Sequence, residues 1–243
     1  MLIENKKQKS RIVIIFVILL LGIFIIDAFF VTTGKSQGFD LSVMQFVYEN
    51  RVEGLNTLFE MLTYAGEWYT ITVVCLMLLA FDKTRIVYGI PVSMVAIISS
   101  ASNAILKRIF QVERPLQEMM LIEQDGFSFP SGHSATGLAV YLLFGYLVIK
   151  NASKMEGFVT YNSVQNDLEE KTVQKTSKDV FYGVILIVLG IIVGISRIYL
   201  GVHYPTDVIG GFAEASIFVI VIAMICPKVI SFCEKMKSSN AER

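Results

Sequence analysis

The chain has two histidines, His133 and His203, and each stands at one end of an apolar segment. His133 closes the run Pro130-Ser131-Gly132-His133, and His203 follows Ser196-Arg197 and precedes Asp207 in the spacing S-R-x5-H-x3-D. Upstream, Lys107 precedes Arg114-Pro115 in the spacing K-x6-R-P. Two histidines, three cations and one carboxylate are the parts of a phosphate site. A phosphoryl group presents anionic oxygens that need fixed donors. Arginine grips two oxygens with its planar fork, and lysine supplies a point charge. Histidine attacks phosphorus only when neutral, with the attacking nitrogen free. Asp207 is spaced to hold the other ring nitrogen of His203 and to stabilise the charge that develops there. His133 would then protonate the leaving oxygen, and such opposite needs call for environments that separate the two pKa values.

Local signals place these side chains at helix ends. Pro205 suits the first position of a helix, where its missing N–H costs nothing; His203 then lies just outside and Asp207 in the first turn. Pro130-Ser131-Gly132 reads as the start of another helix. Two helix N-termini beside the cations add free N–H groups and favourable dipoles for an anion. Ser131 contributes a hydroxyl, and Gly132 removes the side chain that would block close approach. Arg197 falls one turn inside an apolar segment, a depth at which a guanidinium needs a partner or a polar cavity. Any one of these residues has a plainer reading, such as a lysine reaching for the interface or a satisfied buried imidazole. Their convergence on one face favours the site.

The elements that must position them are membrane spans. With 243 residues and 54% hydrophobic content, and a mean hydropathy of +0.61, the composition excludes an ordinary soluble domain. Six stretches approach the 20 or so apolar residues that a span requires: residues 12–31, 64–81, 86–106, 134–149, 180–200 and 208–226. The expectation is an all-α, six-helix membrane bundle forming one domain over 1–243. With the N-terminus inside, 15 of the 21 Lys and Arg fall on cytoplasmic segments. The positive-inside bias therefore puts both termini in the cytoplasm and the site cations outside. The first apolar stretch reads as an uncleaved anchor. Asp27 within it is a functional candidate as an intramembrane carboxylate, but it lies near the outer interface, where reaching water is the plainer reading. Residues 33–63 show apolar positions at helical spacing, as short interfacial helices would, with Asp40 as an N-cap. Residues 150–179 form the one long polar segment and read as a solvated cytoplasmic loop. Gly190 and Gly194 make a small-residue face for helix packing, while Cys75, Cys226 and Cys233 read as core filler. No carboxylate array, zinc set or Gly-rich nucleotide cradle is evident, so no cofactor or metal is expected.

At K-x6-R-P, P-S-G-H and S-R-x5-H-x3-D the chain resembles the three-part signature of the type 2 phosphatidic acid phosphatase (lipid phosphate phosphatase) superfamily, in its bacterial membrane-bound branch. The resemblance implies a metal-independent phosphohydrolase. In it, His203 forms a phosphohistidine, Asp207 supports it and His133 is the general acid. Lys107, Arg114, Ser131, Gly132 and Arg197 would hold the phosphoryl oxygens. The expected substrate is a membrane lipid phosphate or diphosphate: undecaprenyl diphosphate, phosphatidylglycerol phosphate or phosphatidic acid. The expected setting is the plasma membrane, with the lipid bilayer as partner, no nucleic acid and an open oligomeric state. A lipid phosphotransferase, a vanadate-dependent haloperoxidase and a non-catalytic lipid binder or transporter are the alternatives.

Overall fold

The computed structural model describes the backbone of residues 2–162 and 166–241, and the side chains of residue 8 and residues 11–152 and 177–227. The described residues form an all-helical bundle. The helices are α1 (Leu2–Thr32), α2 (Gln37–Glu49), α3 (Glu53–Thr63), α4 (Trp68–Ala80), the single turn α5 (Asp82–Thr84), α6 (Ile90–Phe110), α7 (Leu138–Asn162), α8 (Asn166–Tyr199) and α9 (Pro205–Ala241). Wider π turns, Arg85–Gly89 and His133–Gly137, lead into α6 and α7. Among the described residues five helices have the length and apolarity to cross a bilayer, and one bent pair makes up to six if it is counted as a single span.

Apolar side chains of α4, α6, α7 and α9 meet in the core, with Ile71, Val92, Val95, Val140, Leu143 and Ile222 among its buried members. In lipid, helices gain little from apolar burial against one another, so close approach of small residues matters more. A Cβ on Gly190 would sit 3.0 Å from that of Tyr141, which fits the packing role expected of this face. Gly194 likewise admits the ring of Phe212. Cys75 and Cys226 are buried, whereas the side chain of Cys233 lies outside the described residues.

Residues 64–81 do not form the single helix expected. After α3 the chain makes a 3₁₀ turn at Tyr64–Gly66. Glu67 then adopts an extended conformation (φ −69°, ψ 146°) before α4 begins. The helices on either side are inclined by 51°. At 1.5 Å per residue, the 13 residues of α4 reach only about 20 Å, short of the hydrocarbon thickness. Thr63, Tyr64, Gly66 and Glu67 interrupt the apolar pattern at this break, but over the length of a span the apolar run from Ile71 onward outweighs them, which is why the stretch reads as one helix.

Asp40 is a second correction. It lies in the first turn of α2 and does not cap it; Ser36 occupies the N-cap. The Asp40 carboxylate instead accepts the Thr206 N–H at 3.1 Å and the Thr206 hydroxyl at 2.8 Å. It thus caps the exposed N–H end of α9 from another helix. The expected polar loop 150–179 falls largely outside the described side chains, and 163–165 lie outside the described residues; the flanking backbone extends α7 and α8 as helix.

Candidate active site

α8 ends at Tyr199, and Gly201, with φ +78°, reverses the chain in a conformation that suits glycine. The Arg197 carbonyl accepts the N–H groups of Val202 and His203 at 3.2 and 3.3 Å. This turn swings His203 back over the end of α8. Pro205 then opens α9 and places Asp207 in its first turn, as its position suggests.

His203 Nδ1 lies 3.1 Å from Asp207 Oδ2. The same oxygen accepts the Tyr204 N–H at 2.8 Å and the hydroxyl of Ser128. On the other side of the ring, Arg114 Nη1 is 3.2 Å from His203 Nε2. An arginine can only donate, so Nε2 carries the lone pair and Nδ1 carries the hydrogen given to Asp207. The geometry therefore fixes the tautomer. His203 and Asp207 are buried. Burial holds the His203 pKa well below its ordinary 6.5, and the cations of Arg114, Lys107 and Arg197 depress it further. Near neutral pH the imidazole is uncharged, with a lone pair turned toward a cation.

The three cations converge from different elements. Lys107, in the last turn of α6, donates to the carbonyls of Phe127 and Ser128, the latter at 2.9 Å. Arg114 donates to the carbonyls of Asp125, Gly126, Phe127 and Val202 at 2.7–3.3 Å. Burial pulls its pKa below the usual arginine value, yet it stays cationic. Arg197 is fully buried. It donates to Thr63 Oγ1 at 2.7 Å and Gln124 Oε1 at 2.6 Å, while its Nε finds no acceptor among the described residues. Most of these contacts are with backbone carbonyls or neutral side chains, which an anionic oxygen can replace as a stronger acceptor.

The start of α7 supplies the rest. The Ser131 N–H donates to the Asp207 carbonyl at 3.0 Å, tying this helix start to α9. Ser131 Oγ accepts from the Ser134 N–H and hydroxyl at 3.4 and 3.0 Å, so it caps its own helix and keeps a proton to give. A Cβ on Gly132 would lie 3.2 Å from Asn103 Oδ1. His133 Nε2 stands 3.3 Å from Glu67 Oε1, close but not aligned for a hydrogen bond.

Every site residue expected from the motifs thus lies at one end of the bundle. Sequence reasoning missed Ser128, Glu67, Thr63 and Asn103, and it gave Gln124 no role. None of these belongs to a spaced motif. A groove of about 740 Å³ leads away from this end between α4 and α6. Its polar end holds Glu67, Asn103, Lys107, Gly132 and His133, and its length is lined by Ile71, Leu76, Leu79 and Ile97.

Residues 88–230, more than half of the chain and all of the motifs, match the profile of the PAP2 superfamily. The chain belongs to the PAP2 superfamily. This PAP2 chain is 32% identical over 133 residues to phosphatidylglycerophosphatase B of Bacillus subtilis, an alignment covering 55% of each protein. It therefore matches about half the length of that relative. Over 209 residues it is 25% identical to the undecaprenyl-diphosphatase of Sulfolobus acidocaldarius, covering 82% of this chain and 85% of the relative. Its structure resembles that of the transmembrane PAP2-type phosphatidylglycerolphosphate phosphatase of B. subtilis, with a TM-score of 0.67, 25% identity, and 87% and 96% of the two chains covered. A likeness of fold alone links it to Aquifex aeolicus LpxE, at a TM-score of 0.51, 19% identity and coverage of 78% and 95%. Thr63 and Glu67 precede the PAP2 match, so these two contacts come from a part of the chain outside it.

Proposed function

We propose that this protein is a metal-independent phosphatase of a lipid phosphate or diphosphate, acting through a phosphohistidine at the outer membrane–water interface. The observation that carries this reading is the state of His203: a neutral ring held by Asp207, its lone pair facing Arg114, with Lys107 and Arg197 nearby. The phosphoryl oxygens displace the backbone carbonyls from Arg114 and Lys107 and take the free Nε of Arg197. Arg114 moves from His203 Nε2 onto an oxygen, which frees the nitrogen to attack. As the Nε2–P bond forms, the P–O bond to the leaving group breaks, and His133 gives that oxygen a proton. Water then attacks phosphorus, losing a proton to His133, and the P–N bond breaks to release phosphate and neutral His203. Asp207 stabilises the ring charge throughout.

The apolar groove supports a lipid as the leaving group, since it joins the polar end to exposed Leu76 and Ile97. The head group would sit among the cations while the tails stay between α4 and α6. Phosphatidylglycerol phosphate, undecaprenyl diphosphate and phosphatidic acid share that design. The charge bias of the polar segments supports an outward-facing site with both termini cytoplasmic.

Purified protein in detergent, given each of these three lipids with excess EDTA, is expected to release phosphate from at least one at the rate seen without chelator. Release that requires an added metal, or none from any of the three, would refute the reading. In the second case, phosphate appearing on an added alcohol acceptor would identify a transferase.

The depressed pKa of His203 sets a pH dependence. The free enzyme loses its nucleophile only when His203 protonates, which happens below pH 6.5. With the substrate's own titration divided out, the acid limb of kcat/KM is therefore expected below that value. Stability follows the same sign: the unfolded histidine binds a proton more readily, so stability is full above pH 6.5 and declines as pH falls beneath it. An acid limb absent from His203→Gln stability curves but present in wild type would locate the effect. A kcat/KM limb assigned to His203 above pH 6.5 would contradict it.

A further inference from the structure

Glu67 occupies the break between α3 and α4, with its side chain 26% exposed against 13% for His133. Gly66 lets this joint press on the imidazole, because a Cβ there would lie 2.7 Å from His133 Cδ2. Glu67 Oε1 is consequently held 3.3 Å from His133 Nε2, and both residues line the polar end of the groove. The pairing parallels that of Asp207 with His203, where oxygen and ring nitrogen are 3.1 Å apart.

We infer that Glu67 is the positioning residue of the general acid, holding His133 Nε2 so that Nδ1 faces the leaving oxygen and carries the proton it needs. This rests on the acid role given to His133 above. The charged or titratable groups facing His133 are Glu67 from the helix break, Arg197 from α8, Arg114 from the loop after α6 and His203 before α9. Two cations thus oppose an imidazolium there, and the Glu67 carboxylate is the anion among them that favours it. Glu67 favours the form of His133 that carries a proton on each nitrogen, and that form is the acid. Nδ1 yields its proton to the ester oxygen as the P–O bond breaks, and the neutral ring regains one from the water that opens the P–N bond. A small rotation that aligns the 3.3 Å contact lets Glu67 orient the Nε2 proton, and Glu67 neither gains nor loses one.

A residue that serves the acid matters only where the leaving group needs a proton. A lipid alcohol does, whereas p-nitrophenolate departs unaided. Glu67→Gln is expected to lower kcat on the lipid about 10- to 100-fold and on p-nitrophenyl phosphate by less than about threefold. The alkaline limb of the lipid pH profile should move to lower pH, and Glu67→Asp should recover part of the lost rate. Activity on p-nitrophenyl phosphate also reports that the variant is folded. His133→Ala run in parallel separates the two ideas. If it shows the selective loss and Glu67→Gln does not, whether through equal losses on both substrates or no loss, Glu67 has no part in the acid. If His133→Ala loses both substrates equally, the acid role of His133 itself falls, and the inference falls with it.

Discussion

Replacing His203 by alanine is expected to reduce phosphate release by about 10⁴-fold or more, on lipid and p-nitrophenyl phosphate alike. Among the described residues no other histidine or cysteine is placed to take over. The remaining histidine, His133, faces Glu67 rather than Arg114, and the described cysteines Cys75 and Cys226 lie buried in the core. The loss is expected in kcat, because the cations that hold the phosphate are untouched. Rapid-mixing experiments quenched in alkali, where phosphohistidine survives, should trap labelled phosphate on wild-type protein and none on His203→Ala. A variant rate within tenfold of wild type would remove His203 from the chemistry. Loss of rate with label still trapped would move the nucleophile elsewhere.

The parts of this site that can be read from sequence are those that chemistry constrains by type and spacing. His203 and Asp207 declare themselves because Pro205 fixes a helix start between them, and four residues is one helical turn. Arg114, Arg197 and Lys107 stand out because cations are costly beside apolar segments. The contacts that complete the site follow different rules. Ser128 reaches Asp207 across 79 residues, and Thr63 reaches Arg197 across 134. Both are small polar residues without periodicity, so nothing local marks them. Glu67 is hidden for another reason: a lone carboxylate at the edge of an apolar run reads as a surface charge, and its approach to His133 depends on the tertiary contact that Gly66 permits. Asp40 shows the limit of local reading most clearly. Its residue type predicts a cap, and it is one, but for α9 rather than its own helix.

The second large effect concerns Asp207, where the structure changes the reason for the expected loss. The spacing alone suggests that Asp207→Asn would act by loosening the tautomer of His203. Yet Asp207 Oδ2 faces three donors at once, the Tyr204 N–H, the Ser128 hydroxyl and His203 Nδ1–H. An asparagine must place its carbonyl oxygen there, since its NH₂ would oppose the fixed Tyr204 N–H. Oδ1 has no hydrogen-bond partner among the described residues, so an NH₂ in its place breaks no bond. The tautomer survives; the negative charge does not. Asp207→Asn is therefore expected to cost about 10²-fold in kcat, the share due to stabilising a charged phosphohistidine. Asp207→Ala removes both charge and acceptor and strands buried donors, so it should cost about 10³- to 10⁴-fold and reduce thermal stability as well. Steady-state kinetics and thermal unfolding of the two variants decide the matter. If asparagine proves as damaging as alanine, Oδ2 does not set the ring's tautomer through Tyr204. If asparagine is silent, the carboxylate charge contributes nothing to the transition state, and Asp207 serves only to aim the imidazole.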